Sequence, residues 1–251
     1  MKTKKKEELK ELPLAEHFKE LRARIINCVA FFAVALVLCY SCRDRVYNII
    51  TYPLVEAFKA GRFMPSVIYT RLTEAFTSML SISLSAALLV SIPFFTIQLW
   101  LFITPALYKE ERKWLLPYML LTPILFFAGV LFCYFFVLPP AFEFFITFAD
   151  GDKLASPLVP QAKISEYIDL AVSLLIAFGV CFLTPVLLAL LARIGIVSAD
   201  ALKRGRKYAI VAIFIVAAVL TPPDVASQIM LAVPLLAMYE ISILLISRRK
   251  I

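Results

Sequence analysis

The chain has 251 residues, of which 62% are apolar and 18% charged, with only 6 glycines and a formal net charge of +8. That make-up lies well outside the range of a soluble domain and marks a polytopic, all-α membrane protein. The excess charge calls for membrane lipids and no nucleic acid, because anionic headgroups attract juxtamembrane Lys and Arg by roughly 1 kcal/mol each.

Taken in chain order, the first element is announced by "HFKELRARII", where ionisable residues crowd ahead of an apolar run that carries no charge until Arg43. Charge-free runs mark six expected spans, at about 25–40, 75–103, 114–138, 170–192, 208–220 and 225–246, within a single membrane domain over residues 1–251. The second and third, at 29 and 25 residues, exceed the ~20 a span requires, and Pro93 and Pro123 are expected to kink them. The fifth has only 13 residues, about 20 Å of helix against a hydrocarbon core of ~30 Å.

Between spans one and two, residues 42–74 contain "DRVYNIITYPLVEAF", whose Val46, Ile49, Ile50, Leu54, Val55 and Phe58 recur at helical spacing around Pro53 and predict short amphipathic helices lying on the membrane surface. Residues 139–169 open with "PPAFEFF" and turn at "DGDK". These two loops are long enough to cap one end of the bundle. "TPPDVASQ" between spans five and six permits only a tight turn, with Asp224 near its tip.

Basic residues fix the expected orientation. Nineteen of the 26 fall on the face that holds the N-terminus, in residues 1–24, 109–113, 193–207 and 248–250, so the positive-inside rule puts both termini in the cytoplasm of a multi-pass protein of the cytoplasmic (inner) membrane. The first apolar run lacks a small-residue cleavage site and is expected to remain as a span.

Catalytic chemistry finds little to work with. There is no Walker A sequence, GxGxxG or HExxH, and the single histidine is His17, so no catalytic set, cofactor site or metal site is expected. "CYSC" (Cys39 to Cys42) has CxxC spacing but ends a span, outside the βαβ context of redox motifs. Two charged segments draw attention instead. Glu16 and Glu20 are four apart on one helix face and either form surface pairs with Lys19 and Arg24 or leave Glu20 waiting for a cation from elsewhere. "ALYKEERKW" repeats the theme with Glu110 and Glu111 before span three. Gln98, Gln228 and Glu240 are polar groups within spans, free in principle to face a partner helix or a wet cavity.

Four blocks carry a resemblance: "HFKELRARI", "SIPFFTIQLWLFITPALYKEERK", "FFAGVLFCYFFVLPPAF" and "YAIVAIFIVAAVLTPPDVASQIMLAVPLLAMYEISIL". In order and spacing they resemble the TatC family, the multi-spanning receptor subunits of twin-arginine protein translocase, over nearly the whole chain. The resemblance implies a glove-like bundle of six transmembrane helices that binds twin-arginine signal peptides of folded precursors. Implied partners are single-span proteins of the TatA and TatB type and further copies of the chain in a receptor complex, and the implied activity is export of folded proteins driven by the proton-motive force.

By block matching, Glu20 and Glu111 fall where the family has carboxylates implicated in reading the arginine pair, with Arg22, Pro93, Phe102, Pro105, Leu107, Tyr108 and Arg112 on neighbouring positions. Pro53, Tyr134, Pro139, Asp224 and Gln228 match positions associated with partners, function or shape on the opposite side. One departure stands out: the family commonly has an intramembrane glutamate in a block like "FGVxFExP", whereas this chain reads "FGVCFLTP" with Leu183 in that place. The competing expectation is a secondary transporter or channel for a small solute. It would need ionisable groups at midplane depth, of which the sequence has few.

Overall fold

The computed structural model describes residues 14–61, 64, 67–68, 70–103, 109–148, 162–193, 195–220 and 225–248. Nearly all of these are helical: α1 (Leu14–Ser41), α2 (Arg43–Ala60), α3 (Glu74–Ile103), α4 (Lys109–Phe132), α5 (Leu138–Phe148), α6 (Ile164–Cys181), α7 (Thr184–Arg193), α8 (Ala199–Leu220) and α9 (Val225–Arg248). Among the described residues five stretches are long and apolar enough to cross a membrane, at 18–41, 74–102, 117–146, 164–193 and 228–248. The remaining expected span lies in α8, whose first turns carry Lys203, Arg204, Arg206 and Lys207 and leave only Tyr208–Leu220 free of charge.

Lipid is the solvent for much of this surface. Helix α1 exposes Val29, Val34, Val37 and Leu38 and, among its described side chains, buries only Ala35, as expected of a helix that satisfies its own backbone groups and turns apolar side chains outward. Helices α3 and α4 run unbroken through Pro93, Pro117 and Pro123. The breaks come at other prolines. Pro139 and Pro140 have no N–H to offer Phe135 and Phe136, and the chain answers with a π-helical turn (Cys133–Val137) in which the Leu138 N–H bonds the Cys133 carbonyl. Pro185 likewise withholds a donor from Cys181, so α6 stops there and α7 restarts at Thr184.

Close approach of α4 and α6 depends on glycine. A Cβ on Gly179 would stand 2.5 Å from the Phe126 ring, and one on Gly129 would stand 2.6 Å from the Phe178 carbonyl oxygen. Small residues of this kind let membrane helices approach where the hydrophobic effect supplies no pull. At the far end of α7, Gly195 takes φ +79°, with Ile196 N–H bonded to Leu191 O and Gly195 N–H to Ala192 O, a Schellman cap. Ser198 then caps α8 by accepting from Ala201 N–H at 3.2 Å.

The two long connections meet. Strands β1 (Val67–Ile68) and β2 (Ala162–Lys163) pair in parallel, Val67 against Ala162 and Ile68 against Lys163. Residues 43–60 form one helix through Pro53, where short helices were expected, and "PPAFEFF" is helical as a continuation of the third span. Helix α2 buries Ile50, Pro53, Leu54, Ala57 and Phe58 in a core shared with Val137, Phe142, Tyr167 and Phe178, so this amphipathic helix spends its apolar face on the protein.

Glu74 ties the cap to the spans. Its buried carboxylate accepts from the Thr70 N–H at 2.7 Å, the Thr70 hydroxyl at 3.0 Å and the Arg71 N–H at 3.2 Å. The other oxygen accepts from the Ser165 hydroxyl at 2.8 Å, with Lys163 Nζ 4.0 Å away. A buried charge needs this many donors to be tolerated, and the set joins the starts of α3 and α6.

Candidate functional site

At one end of the bundle the site is assembled by α1 and α3 packing antiparallel. Phe31 stacks on Phe94 with ring centroids 4.3 Å apart, and one to two turns further toward that end Arg24 Nη1 donates to Gln98 Oε1 at 3.2 Å. Glu20 lies a turn beyond Arg24 and accepts from its Nε at 3.1 Å and from its Nη2. The surface-pair reading of Glu20 is therefore realised with Arg24, and the pair keeps 26% and 21% side-chain exposure. Arg22 points out to the surface and Phe102 is half-buried near the end of α3. Pro93 sits buried inside that helix.

Helix α3 ends at Ile103 and α4 begins at Lys109, which puts Glu111 and Arg112 in the first turn of α4, beside the same end of α3. The side chains of Glu111 and Arg112 lie outside the described residues, as do Pro105, Leu107 and Tyr108.

The other end brings Pro53 and Tyr134 together for a reason local to the backbone. Pro53 has no N–H for the Ile49 carbonyl, four residues back, and its ring pushes that carbonyl outward. The Tyr134 hydroxyl, carried on the π-helical turn, donates to Ile49 O at 2.6 Å. Next to it the Tyr167 hydroxyl donates to Ile50 O, and the Tyr167 ring lies 4.9 Å from Phe142. Pro139 stands just past the turn and helps create it, while Asp224 lies outside the described residues.

The in-span polar groups find partners within the chain. Gln228 Nε2 donates to Phe214 O at 3.1 Å, joining α9 to α8, and Arg206 Nη2 donates to Glu240 at 2.8 Å between the same helices. With Gln98 held by Arg24, each of the three has a partner on a neighbouring helix. Leu183 occupies the break between α6 and α7, half-exposed, where its N–H bonds Val180 O and its carbonyl accepts from Leu187. The backbone break is thus built without a carboxylate.

Tyr167 and Glu74 escape a reading of the sequence alone, since neither stands in a spacing that marks it. Each is recognisable only once the chain brings α6 against α2 and α3.

Residues 16–234 match the family model described as "Sec-independent protein translocase protein (TatC)". Proteins of that name are 43% identical in Magnetococcus marinus, across 92% of this chain and 82% of the relative, and 38% identical in Rickettsia prowazekii, across 92% and 90%. The Escherichia coli protein is 36% identical across 92% and 86%. Two crystal structures of the twin-arginine translocase receptor TatC superpose with TM-scores of 0.79 and 0.80 at 33% and 32% identity, covering 92% and 94% of this chain and 99% and 100% of theirs. This family consists of subunits for transport and has no catalytic role as enzymes. The chain is a multi-pass membrane protein that belongs to the TatC family of Sec-independent protein translocase proteins.

Proposed function

We propose that the chain is the signal-peptide receptor of a twin-arginine export system in the cytoplasmic membrane. It forms a glove-like bundle of six spans with both termini in the cytoplasm, and residues 42–74 and 139–169 cap its outer end. Twin-arginine signal peptides dock at the cytoplasmic end on Glu20 and Glu111, with Arg22, Pro93, Phe102, Leu107, Tyr108 and Arg112 shaping the surface. With single-span partners of the TatA and TatB type, and with further copies of itself, the receptor passes folded proteins across the membrane at the expense of the proton-motive force. Pro53, Tyr134, Pro139, Asp224 and Gln228 serve partner contact or shape.

The observation that carries this reading is that Glu20, beside the end of α3, already accepts a forked guanidinium in a half-sheltered setting. An arginine keeps its charge at every cellular pH and bonds a carboxylate through two nitrogens, so a pair of arginines is read by two separately held carboxylates. At an effective dielectric constant near 20, one such pair at ~4 Å gains about 4 kcal/mol before desolvation, which removes much of it.

Crosslinking of a twin-arginine signal peptide in membranes tests the assignment. Glu20→Lys or Glu111→Lys should abolish binding, and Gln at either site should weaken it by about 1–3 kcal/mol, the scale of a charge-assisted hydrogen bond. Glu16→Gln and Glu110→Gln should change it little. Wild-type affinity in both reversal variants, with insertion verified, refutes the reading.

A further inference from the structure

Glu20 is already occupied. Arg24 donates to its Oε1 through both Nε and Nη2, and the third nitrogen, Nη1, donates to Gln98 Oε1 on α3. A carboxylate and an amide thereby grip one guanidinium on a surface that retains a fifth to a quarter of its exposure. That is the chemistry an arriving arginine side chain would seek. We propose that Arg24 is a resident occupant of the signal-peptide site, which one arginine of the incoming pair displaces from Glu20 while Arg24 keeps its hydrogen bond to Gln98. The inference rests on the signal-peptide reading above and adds a control on affinity to it.

Exchange explains how strong contacts can give a reversible complex. When one guanidinium replaces another on the same carboxylate, the number and kind of charge-assisted bonds are conserved, so little of their strength appears as net affinity. The displaced Arg24 does not lose all its partners, because Gln98 sits on a different helix and need not move with Glu20. Release of the precursor then gains the reverse exchange, with Arg24 one turn away at high effective concentration. A half-exposed helical pair of this kind is weak enough to open and strong enough to be felt, a few-fold in equilibrium constant.

The full-length protein in nanodiscs, titrated with a labelled peptide bearing paired arginines, provides the test. Arg24→Gln removes the occupant and should tighten binding about threefold, the share that a partly exposed pair withholds. Arg24→Lys keeps the charge but loses the fork and should tighten it less. Lys19→Gln removes the same unit charge from an exposed position one turn away and should leave affinity near wild type. Unchanged or weaker binding in Arg24→Gln overturns the proposal, as does equal tightening in Lys19→Gln, which would make the effect one of bulk charge. If Arg24→Gln fails to insert, Arg24→Lys decides: tightening supports displacement and weakening overturns it. A paired-lysine peptide that binds wild-type protein as well as the paired-arginine one would instead remove the underlying receptor reading.

Discussion

A single missing N–H organises the cap. Because Pro53 cannot bond Ile49, a carbonyl on a partly exposed helix face is left for Tyr134, and the hydroxyl that answers comes from a turn that two other prolines, Pro139 and Pro140, force to widen. Tyr134→Phe should therefore lower the melting temperature in detergent by about 3 °C, equivalent to about 1 kcal/mol for one net hydrogen bond in a chain of this size. The cost should nearly vanish in a Pro53→Ala background, where the new N–H serves Ile49. Equal losses in both backgrounds would mean that proline and tyrosine act independently. The residues themselves were legible beforehand only through the family blocks; neither spacing nor composition connects position 53 to position 134. At the opposite end the i, i+4 spacing of Glu20 and Arg24 did carry the information, whereas the bond from Arg24 to Gln98 spans 74 positions and awaited the packing of α1 on α3.

Between helices, close approach is set by what has no side chain. Gly129 faces a backbone carbonyl that cannot step aside, and Gly179 faces the fully buried Phe126 ring. Alanine at either place overpacks the α4 and α6 crossing and should cost about 1–3 kcal/mol, with Gly129 the worse because a carbonyl yields less than a ring. Gly205 in α8 supplies the control: its Cβ would meet only the Tyr239 hydroxyl at 3.7 Å, so Gly205→Ala should be neutral or stabilising by about 1 kcal/mol through helix propensity. Thermal stability of the three variants in one detergent ranks them, and a Gly205 variant as unstable as the others would sink the argument. The apolar runs were legible as helices because in lipid no other open segment satisfies its backbone. Which prolines break a helix was less so. Pro93 and Pro123 lie within unbroken helices, while the pair at Pro139 and Pro140, with two donors missing in succession, and Pro185, which leaves Cys181 without one, mark where the helices change. Gly129 and Gly179 gave no local sign, since their meaning depends on a partner about 50 residues away.

For the molecule in its membrane, the decisive dimension is the height of the α8 and α9 hairpin. The ion pair of Arg206 with Glu240 links the two helices at one level and is nearly half exposed, and the cost of a charge in hydrocarbon favours that level lying at the water boundary. Beyond it α8 has the charge-free stretch Tyr208–Leu220 of 13 residues and α9 has Val225–Tyr239 of 15, about 20 and 22 Å at ~1.5 Å per residue. With the pair at that boundary both stretches fall short of a ~30 Å hydrocarbon core, whereas α9 taken on through Glu240 is long enough to cross it, and Lys207, lying 5.0 Å from the Tyr208 ring, can shift the charged level by only a turn. The bilayer is the softer component, so it should thin locally beside this hairpin. Spin labels at the exposed positions Val219 and Val225 should report the far hydrocarbon boundary several ångströms closer to the midplane than a label at Val37, also exposed, on α1. Labels on the hairpin that find the same boundary as the one on α1 would show instead that the helices sink and draw Arg206 and Glu240 inward, at the desolvation cost that an ion pair in lipid carries.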